Sequence, residues 1–346
     1  MATPRSLIVD ENVTPWYHCV SRCVRRAFLC GEGFEHRKDW IENRLQDLVD
    51  VFAIDCAGFA IMDNHLHVLL RLDSRRAAEW SDEEVARRWL RLFPLRGIEG
   101  QPLPVSEARV RELIADADAL AKARKRLSDL GWFMKCLKEP LARLANKEDG
   151  CTGAFWESRF RSVAVLDEAS LLATAAYIDL NPVAAGIALT PEASEHTSFR
   201  ARLDECRGNG TLQTVRDGLS TETVNPAQES AGWLLPIDDQ RGQGSDRAGL
   251  LPGFTLSCYC RLLDWTSRLL RAGKAAVPTD VPPIFARLGS DPSEWGATVS
   301  EMFTRRKWTG NHFGGPARLS EAASSHGRRW HRNQIPRGSS ASPVAA

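Results

Sequence analysis

One short block, residues 65–72, constrains the fold of this chain more than any other part of its sequence. It reads HLHVLLRL, and its polar and apolar residues alternate as they do in a strand with one buried face. Leu66, Val68, Leu70 and Leu72 share one face, while His65 and His67 share the other. The preceding Asp63-Asn64 pair is typical of a turn, and residues 53–62 also have a strand pattern. The sequence therefore predicts a hairpin that packs against helices on one face and carries two histidines on the other.

The rest of the chain up to about residue 200 alternates between strand-like and helix-like patterns. Ser81 with Glu84 three residues later is typical of a helix start, and Asp167 is a second candidate cap. The predicted elements are a strand at 16–24, a helix at 34–52, the hairpin, a helix at 81–93, two helices within 107–147, a strand at 155–166 and a helix from 167 that ends at Pro182. This order predicts an α+β fold with a ferredoxin-like antiparallel sheet covered by helices.

The chain changes character after residue 203, which we take as the end of a first domain, 1–203. Residues 204–250 are rich in Gly, Asp, Gln, Ser and Thr, and predict a linker or long loop. Helical periodicity returns further on, so 251–333 is predicted to be a mostly helical accessory region that contacts DNA, and 334–346 a disordered tail. Because this accessory region is predicted to be separate from the first domain, we expect that removing residues 301–346 leaves the first domain's chemistry intact.

Composition excludes some broad classes of protein. The chain has 346 residues, with 45 Lys and Arg against 44 Asp and Glu, so a uniformly basic nucleic-acid coat is excluded while local basic patches are not. No apolar run reaches about 18 residues, and the N-terminus has no apolar signal segment, which predicts a cytoplasmic protein without a membrane partner. Nine cysteines without a CxxC pair indicate reduced thiols.

Two motifs could carry chemistry. His65 and His67 lie one pleat apart, so each can offer a nitrogen to one metal ion. Residues 177–187 read YIDLNPVAAGI, and the four-residue spacing puts Tyr177 and Asn181 on one face at the end of a helix. The alternative interpretations are a chance His-x-His on a strand, and a half-buried tyrosine followed by an Asn-Pro helix stop.

Together these motifs resemble the single-tyrosine HUH transposases, and more narrowly the IS200-like group associated with repetitive extragenic palindromes (REP). The resemblance rests on the block MDNHLHVLLR, on FWESRF at 155–160, on YIDLNP at 177–182 and on the N-terminal YHCVSRCVRRAFLCG. It covers about residues 10–200. The combination is specific, whereas each motif alone is weak.

The resemblance implies a metal-dependent transposase acting on single-stranded DNA beside an imperfect palindromic hairpin. In this family two histidines and a third polar side chain hold a divalent metal. By position, the resemblance assigns these roles to His65, His67 and Asn181. The metal implied is Mg²⁺ or Mn²⁺, with Zn²⁺ as an alternative. Tyr177 would attack the scissile phosphate, form a 5′-phosphotyrosine and leave a 3′-OH that can later rejoin strands. A monomer or a homodimer, associated with the nucleoid, would fit.

Basic residues near these motifs are candidates for DNA contact, because arginine and lysine neutralise phosphates. The alternative is that they are solvated. The candidates are Arg22, Arg25, Arg26, Arg159, Arg161, Arg305, Arg306, Lys307, Arg328 and Arg329. The other histidines are interpreted as solvated or hydrogen-bonded residues: His18, His36, His196, His312, His326 and His331.

Other functions remain open on the sequence. The chain could be a catalytically silent regulator that binds DNA hairpins, or another HUH nuclease of the replication-initiator or relaxase type. A metallohydrolase built on His65 and His67 would need a further His or Asp close downstream, and residues 68–72 offer none.

Overall fold

The computed structural model describes residues 8–218, 232–239, 241, 248–272, 291–304 and 310–332. Its strands form a five-stranded sheet in the order β2-β3-β1-β4-β5. The strands are β1 (Trp16–Arg22), β2 (Ile54–Ile61), β3 (His65–Leu72), β4 (Arg161–Val165) and β5 (His312–Phe313). Helices accompany this sheet, so the predicted α+β class is confirmed.

The hairpin and the sheet edge differ in strand direction. Strands β2 and β3 pair antiparallel, with Ala60 opposite His67 and a register shift between Cys56 and Gly58. Strands β4 and β5 pair parallel, and β5 lies outside residues 1–203, for which the antiparallel sheet was predicted. The parallel strand β5 comes from the C-terminal region that was predicted to be mostly helical.

The helices agree with the sequence pattern over most of the chain. The first six are α1 (His36–Val51), α2 (Ser74–Glu79), α3 (Asp82–Leu92), α4 (Glu107–Ala115), α5 (Ala117–Arg126) and α6 (Leu130–Glu148). The others in the described ranges are α7 (Glu168–Asp179), α8 (Asn181–Ala184), α9 (Ser198–Gly208), α10 (Leu212–Gly218), α11 (Leu256–Ala272), α12 (Pro292–Thr304) and α13 (Pro316–Ser325). The Oγ of Ser81 accepts from the Glu84 N–H, and Asp167 Oδ1 accepts from the Ser170 N–H, as predicted for both caps.

The described residues divide into two compact units. The histidine unit comprises 19–161 and 232–235, and the tyrosine unit comprises 8–18, 162–218 and the described residues from 236 onward. Described residues beyond 203 belong to the tyrosine unit, where β5 pairs with β4 and α12 packs on α7. Helix α10 and the end of α9 also lie within the range predicted to be a linker.

The core of the histidine unit lies between the hairpin and helices α1 and α6. The apolar residues of α1 are buried at helical spacing, with Leu45 and Leu48 fully covered. Arg37 is also fully buried, and it donates from Nε to Glu148 at 2.9 Å and from Nη2 to Asp149. This ion pair joins the start of α1 to the end of α6, and the carboxylates compensate the buried guanidinium.

The core of the tyrosine unit is centred on α7, which is buried along its length from Ser170 to Asp179. The Asp179 carboxylate accepts hydrogen bonds from Ser198 Oγ at 2.6 Å, the Phe199 N–H at 2.8 Å and the Tyr259 hydroxyl at 2.6 Å. Burial raises the pKa of Asp179, while these donors act in the opposite direction. The network fixes the end of the helix that carries Tyr177.

The sequence predicts that a helix ends at Pro182, but the structure differs at this point. Helix α7 ends at Asp179, and α8 begins at Asn181 with Pro182 in its first turn. A proline is accommodated there because the first turn of a helix has no intrahelical partner for its N–H. Asn181 therefore begins a second short helix.

The described helices include none that combines the length and the apolar character needed to cross a membrane.

Candidate functional site

The two histidines of β3 lie side by side in the histidine unit. Their ring centroids are 4.9 Å apart, and His67 is buried while His65 is partly exposed. The Nδ1 of His65 lies 2.6 Å from the Asn64 side-chain oxygen. When Nδ1 donates this hydrogen bond, Nε2 carries the lone pair and is the atom that can bind a metal. The pair therefore fits the imidazole part of a divalent metal site.

Tyr177 lies on α7 in the tyrosine unit and is 8% exposed. Its ring packs against Phe303 of α12, with centroids 4.7 Å apart, and against the edge of His18 at 6.0 Å. The packing restrains the direction of the ring. Tyr177 is thus oriented by residues from both ends of the chain.

Asn181 is buried next to Tyr177, as the four-residue spacing predicted. Its Nδ2 donates to the Tyr177 carbonyl oxygen at 3.2 Å. Because Nδ2 makes this hydrogen bond, the amide orientation is restrained, and its acceptor atom Oδ1 is the atom that a hard divalent metal would bind. The structure brings His65 together with His67 and Tyr177 together with Asn181. The first pair belongs to the histidine unit and the second to the tyrosine unit.

Three of the predicted DNA-contacting arginines lie in a tight turn, residues 22–26, which we name the arginine turn. Arg22, Arg25 and Arg26 are exposed, and Arg25 and Arg26 have positive φ angles of 54° and 57°. Among the described residues, their guanidinium groups have no hydrogen-bond or ion-pair partner. Arginines that stabilise this unit, such as Arg37, are instead paired with carboxylates.

Hydrogen bonds to the backbone of the arginine turn hold it against two other segments of the histidine unit. The Cys23 N–H donates to the Asn64 carbonyl at 2.8 Å, and Asn64 Nδ2 donates to the Arg26 carbonyl at 3.2 Å. On the other side, the Glu157 N–H donates to the Arg22 carbonyl at 2.8 Å. Because Asn64 precedes His65 directly, the unpaired arginines lie beside the start of the histidine strand. Arg159, also exposed, follows Glu157 closely.

The other predicted DNA contacts have different environments. Arg161 is partly buried at the start of β4, and the side chains of Arg328 and Arg329 are exposed after α13. Arg305, Arg306 and Lys307 lie outside the described residues. The aromatic residues Phe155 and Phe160 are buried, so they belong to the core.

The sequence interpretation missed a cluster of three histidines in the tyrosine unit. One nitrogen from each of His312, His326 and His331 lies within 4.8 Å of the others, a spacing that could hold a metal ion. His326 and His331 are hydrogen-bonded to each other, whereas His312 is buried and its Nε2 has no hydrogen-bond partner among the described residues. The interpretation of His312 as solvated or hydrogen-bonded therefore does not hold for its Nε2.

No protein-family model and no curated protein matches the sequence. A solved structure of a REP-associated tyrosine transposase bound to a REP hairpin aligns with it at 13% sequence identity. The alignment covers 63% of this chain and 84% of that one, with a TM-score of 0.32. A likeness of this size does not establish the family.

Proposed function

We propose that this protein is a transposase that cleaves and rejoins single-stranded DNA at hairpin-associated sites through a covalent 5′-phosphotyrosine on Tyr177. The observation that carries the proposal lies in the histidine unit. There, Asn64 joins the unpaired arginine turn to the strand that presents His65 and His67. Imidazole ligands beside exposed guanidinium groups suit a phosphodiester better than a neutral substrate.

The arginine turn would bind the DNA backbone. Exposed guanidinium groups without carboxylate partners keep their charge available for phosphate oxygens, which arginine binds in bidentate fashion. The left-handed conformations at Arg25 and Arg26 cost free energy, so the surrounding hydrogen bonds must maintain them. Strain kept at an exposed basic turn is consistent with a binding role.

The metal would be Mg²⁺ or Mn²⁺, held by His65, His67 and the Oδ1 of Asn181. A divalent ion at this place supplies Lewis-acid polarisation of the scissile phosphate. The side chains orient the ligand atoms: Asn64 fixes the tautomer of His65, and the hydrogen bond to the Tyr177 carbonyl fixes the amide of Asn181.

Tyr177 would be the nucleophile. Its phenol oxygen forms a bond to phosphorus while the bond from phosphorus to the 3′ oxygen breaks. The phenol loses one proton, and the leaving 3′ oxygen gains one to become the 3′-OH. The phosphodiester energy is conserved, so a 3′-OH can attack the phosphotyrosine and rejoin the strand. The ring packs against Phe303 and His18, which restrains its orientation before the reaction. The entropy cost of orienting the nucleophile is therefore smaller.

The adduct itself is the direct test. Full-length protein is incubated with labelled single strands that carry an imperfect palindrome, in Mn²⁺ or Mg²⁺, and the products are separated on a denaturing gel. We expect a labelled band at the size of the protein plus DNA, absent with chelator and absent with fully paired duplex. Hairpin binding without any adduct would instead identify a catalytically silent regulator, and a different strand preference would favour another HUH nuclease.

The proposed substrate also sets the partners and the location. A protein with this activity meets single-stranded hairpins on the nucleoid DNA of the cytoplasm, as a monomer or a homodimer. Its partner is therefore DNA, with a single-stranded cleavage site beside a paired stem.

We expect the double substitution Arg25→Asn and Arg26→Asn to weaken binding of single-stranded DNA and to reduce its salt dependence. Asparagine tolerates the left-handed conformation, so the turn is preserved while the charge is lost. Each lost phosphate contact lowers the slope of log K against log salt by about 0.7, so the slope should fall by about 1.4. Fluorescence anisotropy at several salt concentrations measures it.

The matched control for this variant is Arg143→Asn, which removes an exposed arginine of the same unit that is paired with Glu139 at 2.7 Å. It should leave the slope unchanged. An arginine-turn variant whose slope equals that of the wild type would contradict the proposed phosphate contacts.

A further inference from the structure

The three clustered histidines are positioned by the C-terminal part of the tyrosine unit. His312 lies on β5, which pairs with β4 through hydrogen bonds from the Ala164 N–H to the Asn311 carbonyl and from the Leu166 N–H to the Phe313 carbonyl, both 2.9 Å. Helix α13 then ends at His326, where the chain turns back through Gly327 with φ of 63°. The turn brings His331 over His312. The pairing of β5 with β4 and the turn at the end of α13 thus bring His312 close to His326 and His331.

The three rings are in direct contact. His331 stacks on His312, with centroids 3.8 Å apart and planes inclined by 14°. The Nδ1 of His326 lies 2.8 Å from the Nε2 of His331. One nitrogen from each residue lies within 4.8 Å of the nitrogens from the other two.

Burial favours the neutral form of two of these imidazoles, His312 and His331, by lowering the pKa of each. Burial, together with the neighbouring His331 and His326, lowers the pKa of His312 to about 3, and burial also lowers the pKa of His331. A neutral imidazole carries the lone pair that binds a metal, so both shifts act in favour of metal binding. Burying the Nε2 of His312 without a hydrogen-bond partner among the described residues costs free energy, which a metal bond would offset.

A carboxylate completes the arrangement. The Nε2 of His326 lies 3.5 Å from Asp10 Oδ2, on the ring atom opposite the one that faces His331. If Nδ1 of His326 binds a metal, its Nε2–H faces the carboxylate. At 3.5 Å this contact is an ion-pair distance, and Nε2 has no hydrogen-bond partner among the described residues. Metal-bound histidines commonly donate their other N–H to a carboxylate, and a small shift of Asp10 toward the ring would supply that hydrogen bond.

We propose that His312, His326 and His331 bind one Zn²⁺ ion. Three neutral imidazoles suit Zn²⁺, whereas Mg²⁺ and Ca²⁺ require mainly oxygen ligands. Zn–N bonds are about 2.0–2.1 Å long, so the nitrogens must move closer together on binding. His331 can supply that movement because it follows the end of α13. The ion would fasten residues 326–331 to β5 and hold the exposed Arg328 and Arg329 in place.

Zinc content of the full-length protein tests the site. The protein is stripped with a chelator, loaded with ZnCl₂, desalted and analysed for metal. We expect His331→Gln to contain one equivalent of zinc less than the wild type, and His36→Gln, which changes an exposed histidine outside the cluster, to contain the same as the wild type. Because the comparison is a difference, zinc bound by His65 and His67 does not affect it. Equal zinc content in His331→Gln and the wild type would overturn the proposal.

Limited trypsin digestion gives a readout that does not depend on activity. Cleavage after Arg328 and Arg329 should be fast in the stripped protein and slowed at least several-fold by ZnCl₂, while MgCl₂ should have no effect. In His331→Gln, zinc should give no protection. Equal protection by Mg²⁺, or zinc protection that persists in His331→Gln, would show that these three imidazoles do not form the site.

Discussion

Tyr177→Phe should abolish the covalent protein–DNA adduct while leaving hairpin binding nearly unchanged. The substitution removes only the phenol oxygen, and the ring contacts with Phe303 and His18 remain available. Adduct formation is measured on a denaturing gel and binding by anisotropy, both with the same labelled strand. An adduct that persists in this variant would show that another residue is the nucleophile.

The other two tyrosines make good controls, because their hydroxyl groups already have structural roles. The Tyr17 hydroxyl donates to the Thr14 carbonyl and accepts from the Asp10 N–H, each at 2.8 Å. The Tyr259 hydroxyl donates to Asp179. Tyr259→Phe should retain the adduct but lower the free energy of unfolding by about 1–3 kcal/mol, because the buried Asp179 loses a donor.

The local parts of the fold could be predicted from the sequence. Strand β3 has the predicted bounds, since its alternation and the preceding turn are both local signals. The caps at Ser81 and Asp167 are also local and correct. The predicted strand at 155–166 is shorter, beginning at Arg161, because Phe155 and Trp156 are in a loop that forms only an isolated bridge with Cys23.

The parts that the sequence did not reveal depend on contacts between distant residues. The strand β5 has only two residues, and its pairing with β4 has no periodic signal. The histidine cluster depends on that pairing, so His312 could not be distinguished from a surface histidine. Helix α2 is short and was not predicted, although Asp73 caps it by accepting from the Arg76 N–H.

The C-terminal residues do more than extend an accessory region. Phe303 of α12 contacts Tyr177, and β5 pairs with β4, so removal of residues 301–346 would expose the tyrosine ring and the sheet edge. The expectation that such a truncation leaves the chemistry intact is therefore not supported. Single substitutions test the proposed mechanism better than this deletion.

His65→Ala and His67→Ala should each reduce metal-dependent cleavage by at least about 100-fold, because each removes a direct ligand, and even outer partners of ligands are worth 10–100-fold. Asn181→Ala should have a smaller effect, since water can replace an amide oxygen, and higher Mn²⁺ should partly restore it. The assay is adduct yield against Mn²⁺ concentration, with His36→Ala as a control that should behave as the wild type. Because His67 is buried, circular dichroism must show that its variant is folded. If the folded His65 and His67 variants cleave DNA with unchanged metal dependence, the metal is bound elsewhere. If Asn181→Ala is indistinguishable from the wild type, the third ligand is another residue.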